Sequence, residues 1–225
     1  MNVWASLAIK AAYQELLPAF VRSSKVKVDT QWVGMADIRK RILAGEATDV
    51  VIGSAGLVED LINGGNFDSR TRVDLAKSEV GAAVRAGARK PDIGSVEALK
   101  SALRAAKSIV YSSGPSGVYL AELFQRLGIA EELKAKAKQA PPGVLVGELV
   151  ARGDFELCFQ QVPELRQVQG IDYVGRLPRE VQLSTVFSGA VHSRSAQAKP
   201  GGELLHHLAS RDAQRVLRKH GLEPA

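Results

Sequence analysis

Hydrophobic and polar positions along the chain alternate between two periods. Runs that predict strands lie near 2–5, 26–33 and 49–52, and a stretch with helical spacing follows each of them, near 6–20, 35–44 and 55–63. Small residues occupy the junctions: Ser6, then Gly34 with Met35 and Ala36, then Gly53 with Ser54. Repeated strand-to-helix junctions predict a parallel sheet, and ligands of such sheets bind at the carboxyl ends of the strands.

A further junction of this kind lies near the middle of the chain. The apolar run 108–111 predicts a strand, the segment Ser112-Ser113-Gly114-Pro115-Ser116-Gly117 predicts a turn, and 118–127 predicts an amphipathic helix. Ser116 as an ordinary N-cap is one interpretation. An anion held by the exposed amides of the helix start is the other, and the recurrence of the junction favours it.

The remaining pattern predicts a chain that leaves one lobe and later returns to it. Further strands are expected near 72–75, 80–85, 156–159, 173–175 and 181–188, further helices near 95–106, 143–151 and 201–220, and a short turn near 162–165. We assign lobe 1 to 1–80 and 187–225 and lobe 2 to 81–186, both of the α/β class. A ligand cleft is expected between the lobes.

Composition narrows the classes of partner. The net charge is +6, but the basic residues are spread along the chain, aromatics make up only 5% of it, and no helix-turn-helix segment is present, so no nucleic-acid partner is expected. No run is apolar enough for membrane insertion. The single cysteine, Cys158, lies in an apolar run that predicts a buried, inert thiol. The sequence offers no metal-ligand cluster and no cofactor motif.

The start of the chain bears on its location. A secretory signal peptide has a basic region followed by an apolar stretch and a cleavage site, and this pattern is not seen in the first residues, MNVWASLAIK. We therefore expect a cytoplasmic protein from the sequence as it stands, or a periplasmic one if a leader has been removed.

Three segments of the chain form a recognisable set: Ala5-Ser6-Leu7 before the first helix, Ala44-Gly45-Glu46-Ala47-Thr48-Asp49-Val50-Val51-Ile52, and Gly114-Pro115-Ser116-Gly117 with Tyr119 and Ala121 beyond. With these segments the chain resembles, over nearly its whole length, the solute-binding proteins of the periplasmic molybdate-binding type. The resemblance implies the type II periplasmic-binding-protein fold. In that fold two α/β lobes, each with a mixed, mostly parallel sheet flanked by helices, are linked by two crossing hinge strands and close on a small anion.

Carried over by position, the resemblance implies that a few residues face the ligand: Ser6, Ser54, Ser116 with the Gly117 amide, Gln160 and Gln161. Two departures disfavour molybdate. Gly34 and Met35 replace the family's paired serines, and Gln160 replaces a tyrosine.

Two cations suggest a different ligand. Lys10 lies one turn into the first helix and Arg39 one turn into the second. If they face inward rather than toward solvent, they suit carboxylates, so a di- or tricarboxylate is favoured over a bare oxyanion. Met35, Ala36, Tyr111 and Ser113 complete the predicted ligand-binding set.

Two functions remain open. One is binding of a small anion, with an ABC transporter permease as a further partner if the protein is exported. The other is isomerisation of a polycarboxylate such as aconitate, an activity that the resemblance includes. That chemistry needs a proton-transferring group, for which Tyr111, Lys10 and, with less support, Tyr119 are candidates. The four histidines are assigned to the surface or to packing near the last helices.

Overall fold

The computed structural model describes all 225 residues. In chain order the strands and helices are β1 (Asn2–Ala5), α1 (Lys10–Ser24), β2 (Asp29–Trp32), α2 (Met35–Leu43), β3 (Val50–Ser54), α3 (Ala55–Asn63), β4 (Val73–Arg85), α4 (Val96–Ala105), β5 (Ile109–Tyr111), α5 (Pro115–Arg126), α6 (Ala130–Leu133), β6 (Ala137–Gln139), α7 (Val146–Arg152), β7 (Leu157–Gln161), α8 (Val162–Arg166), β8 (Ile171–Arg176), β9 (Ser184–Val191), α9 (Ala198–Leu208), α10 (Ala213–Lys219) and β10 (Glu223–Pro224). Short 3₁₀ turns occupy Leu7–Ile9, Ser69–Thr71 and Arg179–Val181.

The chain forms two compact units. Unit 1 comprises Met1–Ser78 and Thr185–Ala225, and unit 2 comprises Glu79–Ser184. The chain leaves unit 1 within β4 and re-enters it within β9. Both junctions lie two residues earlier than the sequence-based limits of 80 and 187.

Unit 1 is built on a mixed sheet. β1 pairs in parallel with β2 and β3, and β3 pairs antiparallel with β9. Side chains alternate across this sheet: Val3 and Ala5 of β1 join the core formed with α1, α9 and α10, whereas Trp4 joins the core formed with α2 and α3. This period of two follows from the pleat of a strand with both faces covered.

Unit 2 repeats the arrangement. β5 pairs in parallel with β6 and β7, and β7 pairs antiparallel with the second part of β4, which also pairs with β8. Ile109 and Phe159 point into the core beneath α4, α5 and α6, and Val110 and Cys158 point into the core beneath α7 and α8. The α/β class and the parallel strand–helix series predicted from the sequence are confirmed.

Several predicted limits were wrong in instructive ways. The two strands expected near 72–75 and 80–85 form one strand, β4, and β10 pairs with its middle at Ala76 and Lys77. The strand β6 (Ala137–Gln139), which lies beside β5, was not among the strands expected from the sequence. The turn expected near 162–165 is the short helix α8, with Pro163 in its first turn.

The start of α5 is the correction that matters most for the site. α5 begins at Pro115 rather than near 118. Proline suits this first position because it has no amide proton that would need a partner.

Candidate functional site

The carboxyl ends of three strands meet at one edge of the unit 1 sheet. The register places Ala5 of β1 opposite both Trp32 of β2 and Ile52 of β3. The residues that follow these three positions open the 3₁₀ turn before α1, then α2 and α3. This edge therefore gathers the helix starts that the sequence predicted.

Two predicted serines act as caps at this edge. Ser6 is buried and its hydroxyl accepts the Ala8 amide at 3.3 Å, and the Ser54 hydroxyl accepts the Leu57 amide at 3.4 Å. Each hydroxyl can still donate its own proton to an anion.

Met35 and Ala36 form the first turn of α2. The preceding Gly34 has extended backbone and no side-chain oxygen, so no side chain caps this helix. Its first amides are consequently left for another acceptor.

Lys10 is the first residue of α1 and lies half-buried at the same edge. Its ammonium lies 5.8 Å from the centroid of the Trp32 ring, and no carboxylate of the chain pairs with it. A cation at a helix start experiences the positive end of the helix dipole, so an anion bound there would relieve an unfavourable charge.

The carboxylate hypothesis requires Arg39 to be available to a ligand, but this side chain already has a counterion. Its guanidinium forms an ion pair with Asp60 of α3, and both side chains are about half exposed, at 50% and 52%. Arg39 is thus already satisfied by a protein carboxylate, and we leave it out of the proposed ligand set.

The corresponding edge of unit 2 carries hydroxyl groups. Tyr111, at the end of β5, lies opposite Phe159 of β7, and Ser112 follows. The hydroxyls of Ser112 and Ser116 are 2.8 Å apart, and Ser116 is fully buried. Ser112 was missed from the predicted set, although its spacing of four residues from Ser116 was visible in the sequence.

The Gly117 amide was expected to face a ligand, and its environment differs from that expectation. This amide donates to the Gly114 carbonyl at 2.9 Å, so it is engaged within the turn rather than free for a ligand. A Cβ at this position would lie 1.5 Å from the Ser112 carbonyl oxygen. The glycine is therefore required by a close backbone approach, and the Ser116 amide is the free donor of this helix start.

Tyr111 and Ser113 are half-buried at this edge. The Tyr111 ring packs edge-on against Phe124 with centroids 5.7 Å apart. Tyr119, the weaker candidate for proton transfer, donates its hydroxyl to the Val181 carbonyl at 2.8 Å, which makes it a structural tether.

Gln160 was expected to face a ligand, and its side chain is engaged inside unit 2 instead. Its carbonyl oxygen accepts the Val146 amide at 2.9 Å, and its amide nitrogen donates to the Val144 carbonyl at 3.4 Å. Gln160 therefore caps the start of α7, which its own sequence does not cap. The neighbouring Gln161 is buried beside it.

Glu164 is a buried carboxyl that sequence reasoning missed. It is the third residue of α8 and accepts the Gln161 amide in the manner of half a capping box, with the Gln160 side chain as a second partner. Burial raises its pKa to about 7, and these two hydrogen bonds oppose the rise. Its only sequence signal is an acidic residue three positions into a short apolar helix.

The remaining chemistry-bearing residues lie apart from the two edges. Cys158 is buried, and burial raises the pKa of its thiol to about 12. His207 contacts the Leu16 carbonyl, and His220 contacts Glu15. The structure brings no three His, Cys, Asp or Glu side chains together as a metal-binding set.

Two surface cavities, of about 420 Å³ in unit 1 and 560 Å³ in unit 2, are lined by none of the predicted site residues. None of the helices has the length and apolar character needed to cross a membrane.

Comparison with known structures identifies the fold as that of type II periplasmic binding proteins. A periplasmic molybdate-binding protein from Azotobacter vinelandii matches with a TM-score of 0.81 at 16% identity, over 99% of this chain and 98% of that one. A sulfate-binding protein from Mycobacterium tuberculosis matches with a TM-score of 0.81 at 19% identity, over 100% of this chain and 86% of that one.

Residues 1–223 match the pattern of the bacterial extracellular solute-binding proteins, and the chain belongs to that family. A relative from a Pseudomonas species, described as an aconitate isomerase, is 38% identical over 230 residues, which cover 100% of this chain and 87% of the relative. The resemblance drawn from the sequence is confirmed.

Proposed function

We propose that this protein binds a small organic polycarboxylate, and that Lys10 is the cation that selects it. The observation that carries the proposal is the ammonium of Lys10, which lies at the carboxyl edge of the unit 1 sheet without a protein carboxylate. The hydroxyls of Ser6 and Ser54 and the first amides of α2, at Met35 and Ala36, supply hydrogen-bond donors beside it.

The combination favours an anion with more than one charged group. Helix amides and hydroxyls can satisfy a bare tetrahedral oxyanion without a cation. A lysine adds a charge-assisted hydrogen bond, which a second carboxylate can accept. An ABC transporter permease is the proposed partner for delivery of the ligand, as the family relationship supports.

Thermal unfolding against an anion panel tests the proposal. The panel comprises molybdate, sulfate, phosphate, citrate, tricarballylate and both aconitates. A ligand at about 100 times its Kd adds roughly 2.7 kcal/mol to the free energy of unfolding. We expect the polycarboxylates to stabilise the protein, and Lys10→Ala to weaken their binding more than tenfold, because truncation leaves a buried charge of the ligand unpaired.

Lys27→Ala is the matched control. It removes the same charge from an exposed position that precedes β2, whereas Trp32 and the candidate edge lie at the end of that strand. Equal affinities in the two variants, or stabilisation by molybdate and sulfate alone, would contradict the proposal.

A second candidate is isomerisation of an unsaturated polycarboxylate. The aconitate isomerase relative favours it, and so does Glu164, whose pKa of about 7 allows the carboxyl to hold or release a proton near neutral pH. In such a reaction a base removes a proton from a carbon next to the double bond, and the resulting carbanion is reprotonated in the isomeric form.

Proton NMR of cis-aconitate in D₂O tests this candidate. Conversion to the trans isomer with deuterium incorporation, reduced at least tenfold in Glu164→Gln, would support it. Polycarboxylate binding without conversion would leave the protein a binding protein and exclude the isomerase.

A further inference from the structure

Trp32 lies beneath the cation of the proposed site. The Lys10 ammonium is 5.8 Å from the centroid of its ring, which is within cation–π range. Lys10 begins α1 and Trp32 ends β2, so two different elements supply the pair. A lysine side chain otherwise samples many rotamers, and the ring face restricts where its charge lies.

The ring of Trp32 is itself held in place. Tyr13, on the next turn of α1, meets it edge-on with centroids 5.4 Å apart and an interplanar angle of 89°. Tyr13 is buried at 1% exposure, and its hydroxyl hydrogen-bonds the Thr30 hydroxyl at 2.8 Å. Thr30 precedes Trp32 by two residues on the same face of β2, so Tyr13 contacts both of them.

The strand register places this aromatic pair at the candidate edge. Trp32 lies opposite Ala5, the last residue of β1, and the cap Ser6 follows Ala5 directly. The ammonium that rests on the ring is thereby kept beside the hydroxyl and the helix amides of the same edge.

We propose that Trp32 is the positioning residue of the ligand site: its ring fixes the Lys10 ammonium and thereby sets the preference for polycarboxylates over bare oxyanions. A tetrahedral oxyanion gains little from a fixed cation, because the amides and hydroxyls alone satisfy it. An anion with separated carboxylates gains most when the cation is already in place, because less side-chain freedom is lost on binding. This inference rests on the proposed polycarboxylate binding.

A double-mutant cycle between Trp32 and Lys10 tests it, with tricarballylate as the probe and calorimetry as the measurement. We expect Trp32→Leu to weaken binding about tenfold and Trp32→Phe to weaken it less, since phenylalanine retains a ring face. In a Lys10→Ala background, Trp32→Leu should have almost no further effect, because there is no ammonium left to position.

The chain provides a matched control in its other tryptophan. Trp4 is buried at 2% exposure, and the Arg41 guanidinium lies 3.8 Å from its ring centroid, on the sheet face that α2 and α3 cover. Trp4→Phe should leave tricarballylate affinity unchanged. It also leaves Trp32 as the single tryptophan, so its fluorescence should change when tricarballylate is added.

The outcomes separate the two proposals. If the wild-type protein binds no polycarboxylate, the proposed function and this inference both fail. If Lys10→Ala weakens binding but Trp32→Leu does not, only the positioning role is wrong. An equal loss from Trp32→Leu with and without Lys10 would mean that Trp32 acts on the fold and not through Lys10.

Discussion

The two units share one sheet pattern and differ in the chemistry at the carboxyl edge. A central strand, β1 or β5, is flanked by two parallel strands, and an antiparallel strand follows on one side. The edge in unit 1 presents a cation, Lys10, without a protein partner. The edge in unit 2 presents the paired hydroxyls of Ser112 and Ser116 and the buried acid Glu164.

This difference shows that one sheet pattern can carry different chemistry, because a few side chains set the charge of its carboxyl edge. Unit 1 has an unpaired ammonium there, whereas unit 2 has hydroxyl groups and an ionisable carboxyl. The contrast between Lys10 and Arg39 makes the same point within unit 1, because only one of these cations is left without a counterion.

The largest expected effect is a loss of stability from a substitution at the carboxyl edge of unit 2. Gly117→Ala should lower the free energy of unfolding by at least about 3 kcal/mol, because its Cβ would collide with the Ser112 carbonyl. The matched control is Gly56→Ala in the first turn of α3, where a Cβ meets nothing within 4 Å. Urea denaturation should show that variant at or slightly above wild-type stability. Similar losses in both variants would refute the close-approach argument.

The second prediction concerns the pH dependence of stability that the buried Glu164 carboxyl of unit 2 creates. Because the folded-state pKa of Glu164 is raised from 4.5 to about 7, its carboxyl favours folding most below pH 4.5, and that stability is lost as the pH rises to about 7. The loss reaches up to about 3 kcal/mol. Glu164→Gln should remove this dependence, so the stability of the variant relative to wild type should rise between pH 5 and pH 7. Parallel pH profiles from denaturant titrations would contradict the raised pKa.

A smaller effect concerns the paired hydroxyls. Ser116→Ala leaves the buried Ser112 hydroxyl without its side-chain partner and should cost about 1–3 kcal/mol of stability. Ser113→Ala, at a half-buried neighbour, is the comparison and should cost less. If thermal unfolding ranks the two variants in the reverse order, the Ser112–Ser116 contact contributes little to unit 2.

The smallest expected effect is that of removing Arg39, and it tests the contrast with Lys10. Arg39→Ala should change tricarballylate affinity less than twofold, whereas Lys10→Ala should change it more than tenfold. The Arg39–Asp60 pair is exposed, and its removal should cost less than about 1 kcal/mol of stability. A large loss of affinity in Arg39→Ala would return this residue to the ligand site.

The local features of the candidate site were predictable from the sequence, and its long-range contacts were not. Strand alternation and small residues at the junctions located Ser6 and Ser54, because these N-caps depend on neighbours only two or three residues away. Asp60 lies 21 residues from Arg39, and no local pattern indicates that they pair.

The environments of Gln160 and Glu164 were even harder to predict from the sequence. The resemblance placed Gln160 at a ligand-facing position, but its side chain caps α7, whose first residue lies 14 positions earlier. The pKa of Glu164 depends on burial, which the packing of unit 2 creates and which a single acidic residue does not reveal.

The division of unit 1 between the two ends of the chain has a consequence for biosynthesis. Unit 2 is contiguous, so a ribosome releases all of it before the second part of unit 1 exists. Strand β3 must wait for β9, and the Asp49 carboxylate must wait for the Ser195 hydroxyl, 146 residues later. During translation, unit 2 can therefore fold first, while the strands that precede it lack their partner β9 until the end of the chain emerges.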